Sequence, residues 1–213
     1  MYRHAMAAKV KEGKFNDFRK ALGANWKAIT TYLDANGISN FSIWTASDLL
    51  FCYFEKDKEG LAKVEGEFKN LLDAFSDTID FISTPGEDMR LMYHDFGVVR
   101  ESKELIRIRM FMTKLKPGQE EEYKARHDQL IEARGDKVTE GPDSNFSIWN
   151  AGGYIFGYDE IDTTMEVEET KEAREDTIAW ETRQLGIMDW ITNDVDWMTG
   201  EVHDQSRCLA RHN

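Results

Sequence analysis

The chain is poor in cysteine and proline, with two cysteines and three prolines in 213 residues. The two cysteines, Cys52 and Cys208, are too few for a disulfide framework, which predicts a protein of the reducing cytoplasm. No apolar run approaches the length that spans a bilayer, and the N-terminus lacks the apolar core of a signal peptide. These absences predict a soluble protein that does not insert into a membrane.

Basic residues are also scarce relative to acidic ones. The chain has 27 lysines and arginines against 40 aspartates and glutamates, which gives a net charge of −13 and a pI near 4.9. Nucleic acids and anionic membranes bind to concentrated positive charge, so neither is expected as a partner. The charge does not exclude a neutral or cationic small molecule as a ligand.

What the sequence does contain is a repeat. Residues 40–44 and 145–149 both read Asn-Phe-Ser-Ile-Trp, 105 residues apart (145 − 40). The same spacing relates identical residues from Lys9 to Glu55 of the first copy to the second copy without a gap. Such self-similarity indicates a tandem duplication, in which one copy can be compared with the other residue by residue.

Each copy shows the element order βαββαβ. In the first copy, apolar residues at helical spacing from Phe15 to Leu33 predict a helix that ends at Gly37. Hairpins are predicted at residues 45–48 and 151–153. The last strand of the first copy is predicted at Leu91–Phe96.

A βαββαβ unit forms a four-stranded antiparallel sheet with both helices on one face, so its other face needs cover. We therefore predict an α+β fold of two ferredoxin-like repeats, residues 1–102 and 103–213, packed sheet to sheet as a dimeric α+β barrel within one chain. A small-ligand pocket is expected between each sheet and its helices. The result is an internal pseudo-dimer, and a further homodimer is left open.

The second copy is the longer one. If residues 79–82 match residues 195–198, the offset there is 116 (196 − 80), which implies an insertion of 11 residues (116 − 105) between Glu160 and Trp190. The insertion falls in or near Met165–Asp176, a highly charged stretch. Charged runs usually face water, so an extended solvated helix is favoured over a lid.

Candidate chemistry lies on the first helix of the second copy. Tyr123 and His127 are four residues apart and share a helical face, and their counterparts in the first copy are the apolar Phe18 and Leu22. Both side chains are therefore expected to point inward, into a polar pocket, whereas the first copy should have a filled apolar space. A phenol beside an imidazole can exchange protons with a bound hydroxyl group. A satisfied core pair without catalysis is the alternative.

Several motifs of the second copy carry a family resemblance, namely Leu115-Lys116-Pro117-Gly118, Glu122-Tyr123, Arg126-His127, Ser144–Ile148 and Gly153–Tyr158. They resemble the L-rhamnose mutarotase family, small dimeric α+β-barrel proteins that interconvert the α and β anomers of L-rhamnose. The resemblance implies a carbohydrate isomerase that binds a monosaccharide, with Tyr123 and His127 as catalytic residues. The first copy has neither residue, which implies a degenerate half kept for structure.

Three further residues are expected to bind the sugar. Phe146 stands where the family resemblance places a tyrosine, and this departure leaves the identity of the sugar open. Trp190 is the candidate for a family tryptophan on the second helix. Trp149 offers an apolar face to a deoxysugar, although Trp44 repeats it in the first copy, which favours a core role for both.

Mutarotation requires one group to deprotonate the anomeric hydroxyl and another to protonate the ring oxygen. It demands no metal or cofactor, and the five histidines show no metal-ligand spacing. The sequence does not assign acid and base between Tyr123 and His127. Two other hypotheses stay open: a non-catalytic sugar-binding or regulatory protein, and a cofactor-free monooxygenase-like barrel.

Overall fold

The computed structural model of the protein describes residues 1–168, 170–192 and 207–213. The described residues form ten strands and four helices, which confirms the predicted α+β class. In chain order these are β1 Tyr2–Val10, α1 Phe15–Ala35, β2 Ile38–Ala46, β3 Leu49–Lys56, α2 Gly66–Asp73, β4 Ile79–Phe81, β5 Arg90–Asp95, β6 Ile106–Leu115, α3 Glu120–Arg134, β7 Asp143–Ala151, β8 Tyr154–Asp162, α4 Lys171–Gln184, β9 Met188–Thr192 and β10 Arg207–His212.

The strands form two antiparallel five-stranded sheets with the orders β10-β2-β3-β1-β4 and β5-β7-β8-β6-β9. The first sheet belongs to a compact unit, here called unit 1, that comprises Met1–Met89 and Arg207–Asn213. Unit 2 begins at Arg90 and contains β5 to β9. The predicted sheet-to-sheet packing stays a prediction.

The boundaries of these units differ from the predicted ones at residues 1–102 and 103–213. The fourth strand of the first ferredoxin-like unit is β4, which pairs with β1. Strand β5, which was expected to close the sheet of the first copy, instead pairs with β7, and β10 pairs with β2. Each copy thus gives its last strand to the other copy's sheet. Sheet edges accept any strand of suitable length, and the local apolar pattern does not specify the partner.

The pairing register of β4 and β9 gives a smaller insertion in the second copy than the sequence predicted. Ile79 pairs with Val10 and Met188 with Leu115, so β9 lies 109 residues after β4 (188 − 79). Only four extra residues (109 − 105) therefore precede β9, and the prediction of 11 is wrong. Residues 195–198, on which it depended, lie outside the described residues. The extra residues fall before or within α4, whose first six residues are exposed, as expected for an extended solvated helix.

The first helix and both hairpins, which the sequence predicted from local patterns, are confirmed. Helix α1 buries Phe18, Leu22, Ile29 and Leu33 along one face, which is the apolar stripe that the spacing predicts. Gly37 follows the C-cap with a φ of 60°, a conformation that glycine adopts without steric cost. Both hairpins lie where the turn residues placed them, between β2 and β3 and between β7 and β8.

The repeated five-residue phrase has a structural explanation. Its first residue, Asn40 or Asn145, has a positive φ of 48° or 56° and lies at an irregularity in the strand pairing. The Asn145 amide donates to Glu160 Oε1 at 3.2 Å, and the Tyr158 hydroxyl donates to the same oxygen at 3.1 Å. Asparagine tolerates the left-handed conformation, and the buried carboxylate needs these donors. Because Asn40 makes the same bond to Glu55, the phrase builds the scaffold in both units.

Candidate active site

Tyr123 and His127 lie side by side on the buried face of α3, exposed by only 3% and 4%. Their rings stack with centroids 4.2 Å apart. The prediction that both side chains point inward is confirmed. One helical turn holds the two groups in contact, so no long-range feature is needed to bring them together.

The hydrogen bond of His127 fixes its tautomer. Its Nδ1 lies 2.9 Å from the backbone oxygen of Tyr123, and a carbonyl oxygen can only accept. Nδ1 therefore carries the proton, and Nε2 keeps its lone pair. Burial lowers the pKa of His127 to about 4, so the imidazole is neutral at pH 7. The geometry thus prepares Nε2 as a proton acceptor.

Two aromatic side chains that the sequence did not single out complete the surroundings of His127. Tyr93 on β5 and Trp180 on α4 meet its ring at centroid distances of 5.4 and 5.3 Å. Tyr93 belongs to the first copy and reaches unit 2 only because β5 pairs with β7, so no local signal identified it. Trp180, rather than Trp190, is the tryptophan on the second helix of unit 2.

The sheet side of the site is aromatic. Phe146 contacts Tyr93 at 5.4 Å between ring centroids and Phe111 at 6.4 Å, while Phe111 also contacts Trp190 at 5.9 Å. The structure therefore brings Phe146 and Trp190 into one cluster with Tyr123 and His127. Trp149 follows Ile148, which packs in the same core as Tyr123. Adjacent strand residues point to opposite faces, so Trp149 lies on the other side of the sheet and outside this cluster.

Unit 2 also contains a contact between Arg109 and Asp159 that was not predicted. Arg109 Nη2 lies 2.8 Å from Asp159 Oδ2, and the Arg109 guanidinium is 5.7 Å from the centre of the Phe146 ring. The Asp159 side chain is completely buried. Burial raises the pKa of Asp159 to about 8, although Arg109 acts in the opposite direction.

Helix α4 adds two more polar side chains. Glu181 Oε2 and both amide atoms of Gln184 are buried and have no hydrogen-bond partner among the described residues. Burial raises the pKa of Glu181 to about 7, so this carboxyl group exchanges its proton near neutrality. Burial, and to a lesser extent the charge of Glu181, raises the pKa of Tyr123, which keeps that phenol protonated. Buried polar atoms without partners are costly, which suits a ligand with hydroxyl groups.

Unit 1 has none of these groups at the matching positions. The offset of 109 residues between β4 and β9 also applies to the ends of α2 and α4. In both units the same backbone hydrogen bonds join the end of the helix to the strand that follows it. Phe75 therefore matches Gln184, and Leu72 matches Glu181. At the offset of 105, Phe54 matches Asp159. The acidic and amide groups at these three positions of unit 2 are thus replaced by apolar side chains in unit 1, whereas Arg109 is matched by the buried His4 (109 − 105).

Two broader properties concern the whole of the described chain. Across residues 1–168, 170–192 and 207–213, no group of three His, Cys, Asp or Glu side chains is arranged to hold a metal ion. The helices in these ranges are all too short or too polar to cross a membrane.

The fold and the side chains inside unit 2 define a ferredoxin-like α+β protein with buried acid–base groups. The chain belongs to the L-rhamnose mutarotase family, whose model matches residues 3–71 and 109–205. Comparison with curated protein sequences gives no match. A similar solved structure is that of a proposed monooxygenase from Fusobacterium nucleatum, with 10% identity, coverage of 100% of this chain and 96% of that one, and a TM-score of 0.47.

Proposed function

We propose that the protein is a sugar mutarotase that interconverts the α and β anomers of L-rhamnose or a related deoxy-aldose, with its active site in unit 2. The observation that carries this proposal is the neutral His127 with Nε2 unprotonated, in a family of mutarotases. The partnerless polar atoms of Glu181 and Gln184 offer hydrogen bonds to sugar hydroxyls. The rings of Phe146 and Trp190 offer an apolar surface to the deoxy carbon.

The proposed reaction divides the roles between His127 and Glu181. His127 Nε2 takes the proton from the anomeric hydroxyl, whose oxygen becomes the aldehyde oxygen as the bond between C1 and the ring oxygen breaks. Protonated Glu181 gives its proton to the ring oxygen. After rotation about the C1–C2 bond, reclosure returns both protons and yields the other anomer. Glu181 suits the acid role better than Tyr123, because its pKa of about 7 lies near neutrality.

An NMR measurement of anomer exchange tests the proposal directly. Saturation transfer between the α and β anomeric protons of L-rhamnose, with L-fucose and D-glucose for comparison, should show faster exchange with the protein than in buffer. If the rates of all these sugars match buffer while their signals broaden on binding, the chain is a sugar-binding protein. If the sugars neither exchange faster nor bind, the site takes another ligand.

The pH profile should identify the acid. With His127 titrating at about 4 and Glu181 at about 7, the active form has a neutral imidazole and a protonated carboxyl. Catalysed exchange should therefore be high between these two values and fall above pH 7 as Glu181 loses its proton. Glu181→Gln should lower the rate by roughly 10²-fold or more and remove the alkaline decline.

Glu175→Gln is the matched control for this profile. Glu175 lies on the same helix, is solvent-exposed and pairs with Lys171 at 3.6 Å. Its replacement should leave both the rate and the pH profile unchanged. An alkaline decline that persists in Glu181→Gln would assign the acid to another residue.

A further inference from the structure

Unit 1 contains a cavity of about 150 Å³, partly open to the surface, between α1, α2 and the sheet. Phe18 and Leu22 line it, so the expected filled space at these positions is wrong. Protein interiors are packed as densely as organic crystals, with few voids larger than a water molecule. A space of this size, at the positions that match Tyr123 and His127 of unit 2, can therefore hold a small ligand.

The lining of this cavity is almost entirely apolar. It includes seven phenylalanine rings, of which Phe18 and Phe75 are 5.7 Å apart and Phe41 and Phe54 are 6.5 Å apart between centroids. Tyr32 also lines the cavity, and two other polar side chains of the lining are hydrogen-bonded to backbone oxygens. The Asn36 amide donates to Tyr32 O at 2.8 Å, and Lys56 Nζ lies 3.5 Å from Gly60 O.

The comparison with unit 2 excludes a sugar as the occupant. Where unit 2 has His127, Asp159 and Glu181, unit 1 has Leu22, Phe54 and Leu72. A sugar hydroxyl transferred from water into such surroundings would lose its hydrogen bonds without replacement. The residues at these matching positions are thus polar in unit 2 and apolar in unit 1.

We propose that this cavity of unit 1 is a second ligand site, which binds a small uncharged apolar molecule of about the size of one benzene ring. A dry cavity of roughly 150 Å³ lined by leucine, isoleucine and phenylalanine is large enough for benzene. The surrounding phenylalanines offer edge and face contacts to an aromatic ring. This site is independent of the proposed sugar chemistry.

Fluorobenzene is a suitable probe for the full-length protein. Its ¹⁹F NMR signal should shift or broaden in a saturable way on titration. The bound ring should also shift the methyl resonances of Leu22 and Leu50, which line the cavity, and leave those of Ile148 and Ile155 in unit 2 unchanged. The absence of saturable binding, or shifts confined to unit 2, would overturn the proposal.

Two filling variants locate the site independently. Ala8→Leu on β1 and Cys52→Leu on β3 each add carbon atoms to the cavity wall, so each should weaken fluorobenzene binding about tenfold or more. Far-UV circular dichroism and thermal unfolding establish that a variant is folded, and one folded variant suffices. His127→Leu, at the position that matches Leu22, should bind fluorobenzene as the parent does. Undiminished binding by a folded filling variant contradicts the proposal, even if the parent binds.

Discussion

His127→Leu is expected to reduce the exchange of L-rhamnose anomers to the spontaneous rate while the protein stays folded. A general base contributes roughly 10²- to 10⁴-fold to a rate, and leucine cannot accept a proton. The substitution copies unit 1, where Leu22 occupies the matching buried position. The same NMR saturation transfer measures the loss, at several protein concentrations so that residual catalysis is distinguished from the background.

The pH dependence of stability provides a second readout for His127→Leu. The pKa of His127 is lowered from 6.5 to about 4 in the folded protein, so between these values the unfolded chain binds a proton that the folded chain does not. The parent therefore loses stability as the pH falls through this window, and the leucine variant does not. From pH 7 to pH 5 the variant should gain about 2 kcal/mol relative to the parent. Urea unfolding at the two pH values measures this difference.

His212→Leu controls for the loss of an imidazole. His212 lies in unit 1, where its Nε2 is 2.7 Å from Asp34 Oδ1. Its replacement should leave anomer exchange unchanged. Full exchange activity in a folded His127→Leu protein would exclude His127 as the base, and Tyr123→Phe would then become the decisive variant.

Gly157→Ala is expected to destabilise the protein by about 1 to 3 kcal/mol, the usual cost of overpacking a core. A Cβ atom at Gly157 would lie 2.1 Å from Cε1 and Cζ of the Phe111 ring, which covers the glycine from the paired strand. The ring would have to leave its place against Phe146 and Trp190. Urea unfolding of variant and parent measures the cost, and exchange activity should fall as the aromatic cluster shifts.

Unit 1 shows which second substitution would compensate for a larger residue at position 157. There the matching pair is Met6 and Cys52, which face each other across β1 and β3. A flexible methionine fills irregular space more easily than a phenyl ring does. The double variant Phe111→Met/Gly157→Cys should therefore be more stable than Gly157→Ala. Equal stability of Gly157→Ala and the parent would show that the ring moves aside without cost.

Local patterns were sufficient for much of the fold. The helical spacing from Phe15 to Leu33 and the turn residues of both hairpins depend on interactions between near neighbours, and these elements lie where the sequence placed them. The inward direction of Tyr123 and His127 also followed from the sequence, because the repeat set them against Phe18 and Leu22. Which strand completes each sheet did not follow, since β5 and β10 pair with partners distant along the chain.

The sequence by itself thus determined the α+β class, the two copies and the buried phenol–imidazole pair, because each rests on periodicity or on the comparison of the copies. Only the tertiary structure decided the chemistry around that pair. It brought Tyr93 in through strand pairing, buried Asp159 and Glu181 so that their pKa values rise, and left the lone pair on His127 Nε2. Burial and hydrogen-bond direction depend on groups brought together from distant parts of the chain, and no local spacing encodes them.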